Sequence, residues 1–328
     1  MYKVIVGITT YNLEKYISEA LDSVLNQKTN FNYKVIVADD CSTDRTLEIL
    51  HKYKDEYPDI LEILTTSKNM GSLANSNRIF NGLQCEYFAF LDGDDYWVNS
   101  NSLQKQVDFL DNHKEYMMCA GNTQYLRNGL LEDFVIGKSE LNKSYCFDDY
   151  VNKKIPFVHT SAILVRNKIF INGLPRCFID AVDSFENCAL RGEDFRRILH
   201  LEKGPIFVYD EVFSVYRIHD KGMWQGSSRT KQLIESTIAM NFYMKYFGEK
   251  YGNFFSEEFR NTYKLMMLDL VLNKDFMNEI NLDNQEADLL ANLIIDLSGK
   301  GDVSNKGNKK TFKYKLKRKL MKFALAIK

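Results

Sequence analysis

The chain has 328 residues, of which 45% are hydrophobic and 13% aromatic, enough apolar material for one large domain or two ordinary ones around a buried core. Its formal net charge of −1 hides an asymmetry: Lys309 to Lys328 carries nine Lys or Arg and no acid, so the rest of the chain sets 34 basic against 44 acidic residues and stands near −10. Such a body lacks the basic face that phosphate neutralisation needs, which excludes nucleic acid as its partner.

Six cysteines occur singly, at Cys41, Cys85, Cys119, Cys146, Cys177 and Cys188, with no CxxC pair, and a reducing cytosol is the expected compartment. The opening MYKVIVGITTYN has no basic segment followed by a long apolar run. No window reaches the roughly 18 apolar residues of a spanning helix, so neither secretion nor membrane crossing is expected.

Lys3 to Thr10 is a β-branched apolar run, and Leu13, Tyr16, Ile17, Ala20, Leu21, Val24 and Leu25 then recur at helical spacing. The chain therefore opens strand, turn, helix. Tyr33 to Ala38 reads as a second buried strand ended by Asp39 and Asp40, and a helix begins near Arg45. Ser42, Thr43 and Asp44 suit capping of that helix; Asp40 is surplus to it, because a cap needs one acceptor. A third strand at Ile60 to Thr65 leads through Asn69-Met70-Gly71 to a helix ending by Leu83, and Glu86 to Leu91 is the fourth strand. Apolar strands alternating with amphipathic helices imply βαβ units and a parallel sheet covered on both faces, with ligands beyond the carboxyl ends of the strands. Thr9 to Asn12, Asp39 and Asp40, and Asp92 to Asp95 would meet there.

FAFLDGDDYW carries the chemistry. Its apolar run delivers Asp92, Asp94 and Asp95 onto one loop, and three carboxylates at a strand end repel one another unless a cation or polar ligand compensates them. A divalent-metal site serving a nucleotide-sugar diphosphate is the reading; a solvated acidic turn is the plain alternative. A helix from Ser100 to about His113 follows, then strands at Tyr116 to Tyr125, Thr160 to Val165, Ile206 to Tyr209 and Phe213 to Ile218. In ALRGEDFRRILHLEKG, Glu193 and Asp194 fall at the start of an amphipathic helix, where carboxylates also serve the helix dipole. His51, His113 and His200 sit on or at the ends of helices and read as structural; His219, in VYRIHDKGMW, follows a strand.

ITTYN, VADDCSTDRT, NMGSLANSN and FAFLDGDDYW occur in the order, and near the separations, of family 2 glycosyltransferases. The chain resembles that family from Lys3 to Ser100, and more thinly to about Arg217. The resemblance implies an α/β GT-A fold and an inverting, nucleotide-sugar-dependent transfer. By resemblance Thr9 and Tyr11 flank a nucleobase, Asp40 reads a uracil ring, Asp92 lies near the ribose, and Asp94 binds Mn2+ or Mg2+. Asn69 and Gly71 match an Asn-x-Gly turn. The Ala-Arg-Asn that often follows is here Asn75-Ser76-Asn77, which leaves Arg78, two positions along, to reach the diphosphate. The Glu193–Asp194 pair resembles the catalytic-base motif, with Asp194 as base and Glu193 next. YRIH resembles an element that brings a histidine, here His219, to the metal or diphosphate; His159, in FVHTSAILV, is the acceptor-side alternative. Trp224, in a Gly-bounded loop, is placed to stack on a sugar or close over the diphosphate.

The expected organisation is a GT-A domain over residues 1–225, a helical extension over 226–298 with helices at Lys231 to Phe247, Glu257 to Leu272 and Asn284 to Leu297, a flexible linker over 299–308, and a tail helix over 309–328. The extension suits acceptor binding or a homo-oligomer contact. The tail sets Phe312, Leu316, Leu320 and Ile327 on one stripe with lysines opposite, a pattern for an anionic membrane surface. The expected whole is a UDP-sugar transferase, cytoplasmic and peripheral on the inner face of the membrane, acting on a carbohydrate, lipid-linked or protein-linked acceptor. The rivals are a membrane-associated sugar-nucleotide-binding module without turnover and a haloacid-dehalogenase-like phosphohydrolase, which shares an apolar strand ending in Asp-x-Asp.

Overall fold

The computed structural model describes residues 1–219, 222, 226–272, 289 and 293. Trp224, the linker, the tail helix and most of the third extension helix lie outside the described residues. Two compact units are present: Met1–Val182 with Leu190–Gln225, and Asp183–Ala189 with the chain from Gly226 onward.

In the first unit the chain runs β1 (Tyr2–Thr10), α1 (Ile17–Leu25), β2 (Tyr33–Asp39), α2 (Thr46–Glu56), β3 (Leu61–Leu64), α3 (Ser72–Phe80), β4 (Cys85–Asp92), β5 (Tyr96–Trp97), α4 (Ser102–Asn112), β6 (Met118–Arg127) and β7 (Leu130–Phe134). It continues through β8 (Lys143–Tyr145), α5 (Phe147–Val151), β9 (Ile163–Arg166), α6 (Arg176–Asp180), α7 (Asn187–Leu190, which begins in the second unit), α8 (Glu193–Leu201) and β10 (Ile206–Ile218). The sheet order is β3-β2-β1-β4-β9-β6-β10-β5, with β7 beside β6 and β8 beside β10.

The first four strands are parallel, as their alternation with helices predicts. Val4, Val6 and Ile8 of β1 and Ile17, Ala20, Leu21 and Val24 of α1 are wholly buried in one cluster with Val35, Val37 and Leu91. Helical spacing in α1 and an apolar run in β1 thus build a single core. The second half of the sheet departs from an all-parallel reading, because β9 enters between β4 and β6 antiparallel to both. The two strands expected after Ile206 are one, β10, whose register against β6 slips between Val208 and Ser214; polar Asp210 and Glu211 fall on that irregularity. Helix α1 also starts later than its periodicity suggests. Asn12 has a left-handed φ of 55°, and Leu13 donates its N–H to Thr46 Oγ1 at 2.8 Å, so the chain turns before it can coil.

The second unit contains α9 (Arg229–Leu272), broken at Gly248, whose φ of 52° and ψ of −140° lie outside helical space. This is the boundary between the two expected helices, and glycine adopts that φ at low cost. Ile234, Ile238, Met266, Met267 and Leu293 form its buried cluster. Among the described residues no helix is long and apolar enough to cross a membrane.

Candidate active site

Adjacent parallel strands bring the predicted polar residues to one edge. Thr9 stands beside Asp92 in the β1–β4 register, and Thr10 beside Asp39 in the β1–β2 register. Gly93 makes the turn that follows possible. Its N–H donates to Thr9 O at 3.0 Å, and a Cβ there would stand 2.8 Å from the same oxygen, so only glycine lets β4 fold over the end of β1. Asp95 N then donates to Asp92 O at 3.0 Å and closes the turn.

The three aspartates leave this turn with different surroundings. Asp95 is buried, 1% exposed, and accepts from Arg217 N at 3.0 Å and Ser161 Oγ at 2.7 Å. Burial, then Asp94 and Asp92, hold its pKa well above the carboxylate range. Asp92 is pushed up to about 7 by burial, then by Asp94 and Glu193, while Arg196 and the Thr9 hydroxyl pull it back. Asp94 Oδ2 lies 3.0 Å from His219 Nε2, and the His219 ring stacks on Tyr16 with centroids 5.2 Å apart.

Among the described residues no three His, Cys, Asp or Glu side chains form a ready-made metal cage. A carboxylate and an imidazole on one side of a repelling acidic group nevertheless fit Mn2+ or Mg2+, which are held by one or two protein ligands with substrate phosphates completing the shell. Asp94 and His219 are the residues that would hold it.

The ends of β2 and β3 are built differently. Asp40, 4% exposed, accepts the backbone N–H groups of Met70 at 2.7 Å and Gly71 at 2.9 Å. Gly71 itself has φ 84°, and Asn69 Oδ1 also accepts its N–H at 3.1 Å. Asp40 thus anchors the Asn69–Gly71 turn, and each of its oxygens keeps a second lone pair. Arg78 Nη1 donates to Asp39 O at 3.2 Å and Asn75 Oδ1 at 2.9 Å, and Nη2 to Thr65 O at 2.7 Å. The guanidinium therefore ties β2, β3 and α3 together at the strand ends. Tyr11 is 46% exposed and open to stack on a ring. None of the three residues expected to cap α2 is its N-cap, which is Arg45; Asp44, one position earlier, accepts Thr46 N at 2.9 Å. Ser42 Oγ accepts Asn12 N at 2.9 Å, and Thr43 N donates to Asn12 Oδ1 at 2.7 Å, so those two brace the turn after β1.

Glu193 and Asp194 occupy the first turn of α8, and Glu193 is close enough to raise the pKa of Asp92. The motif a hundred residues downstream of the acidic turn therefore returns to it. Asp194 Oδ1 accepts from Arg197 Nη2. Crowding of the carboxyl by protein atoms raises its pKa, Arg197 opposes this and Glu193 adds to it; the side chain still keeps 57% of its surface open. Behind them Arg196 lies over the rings of Phe80 and Phe90, at 5.0 and 5.4 Å. His200, 1% exposed, donates Nδ1–H to Arg196 O at 2.6 Å and is structural, with burial lowering its pKa to about 4. His159 stacks on Tyr216 at 4.3 Å and lies 3.7 Å from Asp95. It belongs to the inner wall behind the acidic turn.

Sequence reasoning passed over Tyr16, Glu19, Ser161 and Arg217. Arg217 lies inside the YRIH element from which only the histidine was singled out. Tyr16 was counted as one of a helical apolar stripe.

A polar edge on parallel strands β1–β4, an acidic turn after β4, and a second acidic pair heading α8 define a GT-A-type fold. Residues 5–174 match the family model for glycosyl transferase family 2, and the chain belongs to that family. It is 29% identical over 218 residues to the uncharacterized protein Rv1520 of Mycobacterium tuberculosis, an alignment covering 66% of this chain and 59% of that one. It is 38% identical over 117 residues to the poly(ribitol-phosphate) β-N-acetylglucosaminyltransferase TarS of Staphylococcus aureus, across 34% of this chain and 20% of TarS. The chain thus spans about three-fifths or less of the length of these relatives. In structure it resembles TarS residues 1–349 in complex with UDP, at a TM-score of 0.57 and 18% identity over 89% of this chain and 80% of that one. It also resembles the mannosyltransferase PcManGT of Pyrobaculum calidifontis in complex with GDP-Man and Mn2+, at 0.52 and 15% over 91% and 88%. Family membership sets aside the phosphohydrolase reading.

Proposed function

We propose that this protein transfers a sugar, with inversion, from a UDP-sugar to an acceptor hydroxyl, with Mn2+ or Mg2+, in assembly of a cell-surface polysaccharide, glycolipid or glycoprotein. The observation that carries it is the convergence of Asp92, Asp94 and His219 at the strand edge with Glu193 close enough to act on Asp92. The UDP complex of TarS supports the choice of base, and the polyol phosphate acceptor in its name supports a surface polymer. The basic tail would hold the enzyme at the inner face of the membrane.

A bound divalent cation supplies Lewis-acid stabilisation of the charge that develops on the departing diphosphate. Asp94 and His219 would hold one side of that cation, Tyr11, Asp40 and the Asn69–Gly71 turn would orient the base, and Asp92 the ribose. Arg78 braces the strand ends that carry these groups. Asp194 accepts the acceptor hydroxyl proton on Oδ2 while Arg197 fixes Oδ1. The acceptor oxygen bonds to the anomeric carbon as the bond from that carbon to the phosphate oxygen breaks, and a single in-line displacement inverts the centre. A raised pKa makes Asp194 the stronger base.

The test is UDP release from a panel of UDP-sugars in Mn2+, read beside thermal stabilisation by UDP with Mn2+. Asp194→Asn should lower release on the order of 100-fold or more and keep the stabilisation, whereas Asp94→Asn should lose both. Stabilisation of the wild type without any release would favour the binding module instead. Full release in Asp194→Asn would move the base to Glu193.

A further inference from the structure

The side chain of Arg217 joins three elements at the acidic turn. Its Nε donates to the backbone oxygen of Asp94 at 2.9 Å, and its backbone N–H donates to Asp95 Oδ1 at 3.0 Å. Nη2 forms an ion pair with Glu19 of α1, so the edge and one arm of the guanidinium fork point to different elements. The face of the guanidinium lies over Tyr16, 4.8 Å from its centroid, and over Tyr96 at 5.5 Å. Tyr16 in turn stacks on His219. The two side chains that approach each other at 3.0 Å, Asp94 and His219, are therefore each held by Arg217. It binds the carbonyl of one directly and, through the Tyr16 ring, backs the imidazole of the other. The Arg217 side chain is largely enclosed, at 16% exposure against 52% for that of Glu19.

We propose that Arg217 is the positioning residue of the cation site, fixing Asp94 and His219 relative to each other through the Glu19–Arg217–Tyr16 assembly, so that cation and diphosphate bind as one unit. This rests on the donor reading above. A planar fork that bonds through two nitrogens and stacks on its face cannot be replaced by an ammonium group. The arrangement also ties the position of α1 to that of the turn, because Tyr16 and Glu19 both reach Arg217 from the start of that helix.

The measurement is the dissociation constant of UDP by calorimetry with and without Mn2+, whose ratio reports how strongly cation and nucleotide support each other. Wild type should show marked tightening by Mn2+. In Arg217→Ala the ratio should fall at least tenfold while UDP binding without Mn2+ stays within twofold. Arg217→Lys should not restore it, and Glu19→Gln should fall between Arg217→Ala and wild type. A ratio in folded Arg217→Ala equal to that of wild type overturns the role, even if the melting temperature falls. Should Arg217→Ala not fold, Glu19→Gln and Tyr16→Leu decide: unchanged ratios in both overturn it. A wild type that Mn2+ does not tighten overturns the donor reading itself, a separate outcome.

Discussion

Two acidic clusters end β2 and β4, the strands on either side of β1, and they are chemically opposite. At the end of β2, Asp39 accepts the Ser42 N–H and hydroxyl, Asp40 accepts two backbone N–H groups, and Asp44 accepts Thr46 N and Glu14 N. Burial works against the Asp44 anion, yet the bonds from Thr46 and Glu14 outweigh it and lower its pKa. At the end of β4 burial, and then the neighbouring carboxylates, push both Asp92 and Asp95 up. Equal numbers of aspartates thus give a braced turn in one place and carboxyls that repel one another in the other. Surroundings separate them: the β2 carboxylates accept N–H groups of their own and the next turn, whereas burial beside like charges, as at Asp92 and Asp95, leaves a group that a cation would compensate.

Stability should separate the clusters most clearly. Asp39→Ala strips two bonds from a buried site and should cost about 1–3 kcal/mol, lowering the melting temperature by roughly 3–10 °C. Asp92→Asn removes a repelling charge. At pH 8, above the value near 7 to which Asp92 is raised, the wild-type carboxylate is ionised at a cost to the fold, so without metal the variant should melt at or above the wild-type temperature. Thermal denaturation of both at pH 8 checks this, and equal losses would erase the distinction.

A smaller effect sharpens it on the catalytic side. Burial and then Glu193 raise the pKa of Asp194 against the pull of Arg197, and a base must be ionised to work, so if Asp194 is the proposed base the acid limb of kcat/KM should lie above that of an ordinary aspartate. Glu193→Gln should shift that limb down. A pH–rate profile that does not move, or moves upward, would contradict the assignment.

Much of this was readable from residue types. β-branched runs and helical periodicity set β1 to β4 and α1 to α4, since each buries its own apolar pattern, and the acidic motifs marked the strand edge. The antiparallel entry of β9 was not readable, because a four-residue apolar strand carries no direction. The role of Asp40 as anchor of the Asn69–Gly71 turn was equally hidden: its bonds go to backbone groups thirty residues away, and backbone groups look alike in any sequence. Arg217 and Tyr16 escaped for the related reason that stacking and forked bonding across α1, β4 and β10 depend on tertiary placement. Ring and charge alone do not announce it.

The central claim, that the β4 cluster is a cation site completed by a nucleotide diphosphate and the β2 cluster is not, is tested most directly by counting bound Mn2+ with electron paramagnetic resonance in the presence of UDP. One ion per chain is predicted for the wild type and for Asp39→Asn, with binding lost in Asp94→Asn. Undiminished binding in Asp94→Asn, or none in the wild type, would contradict it.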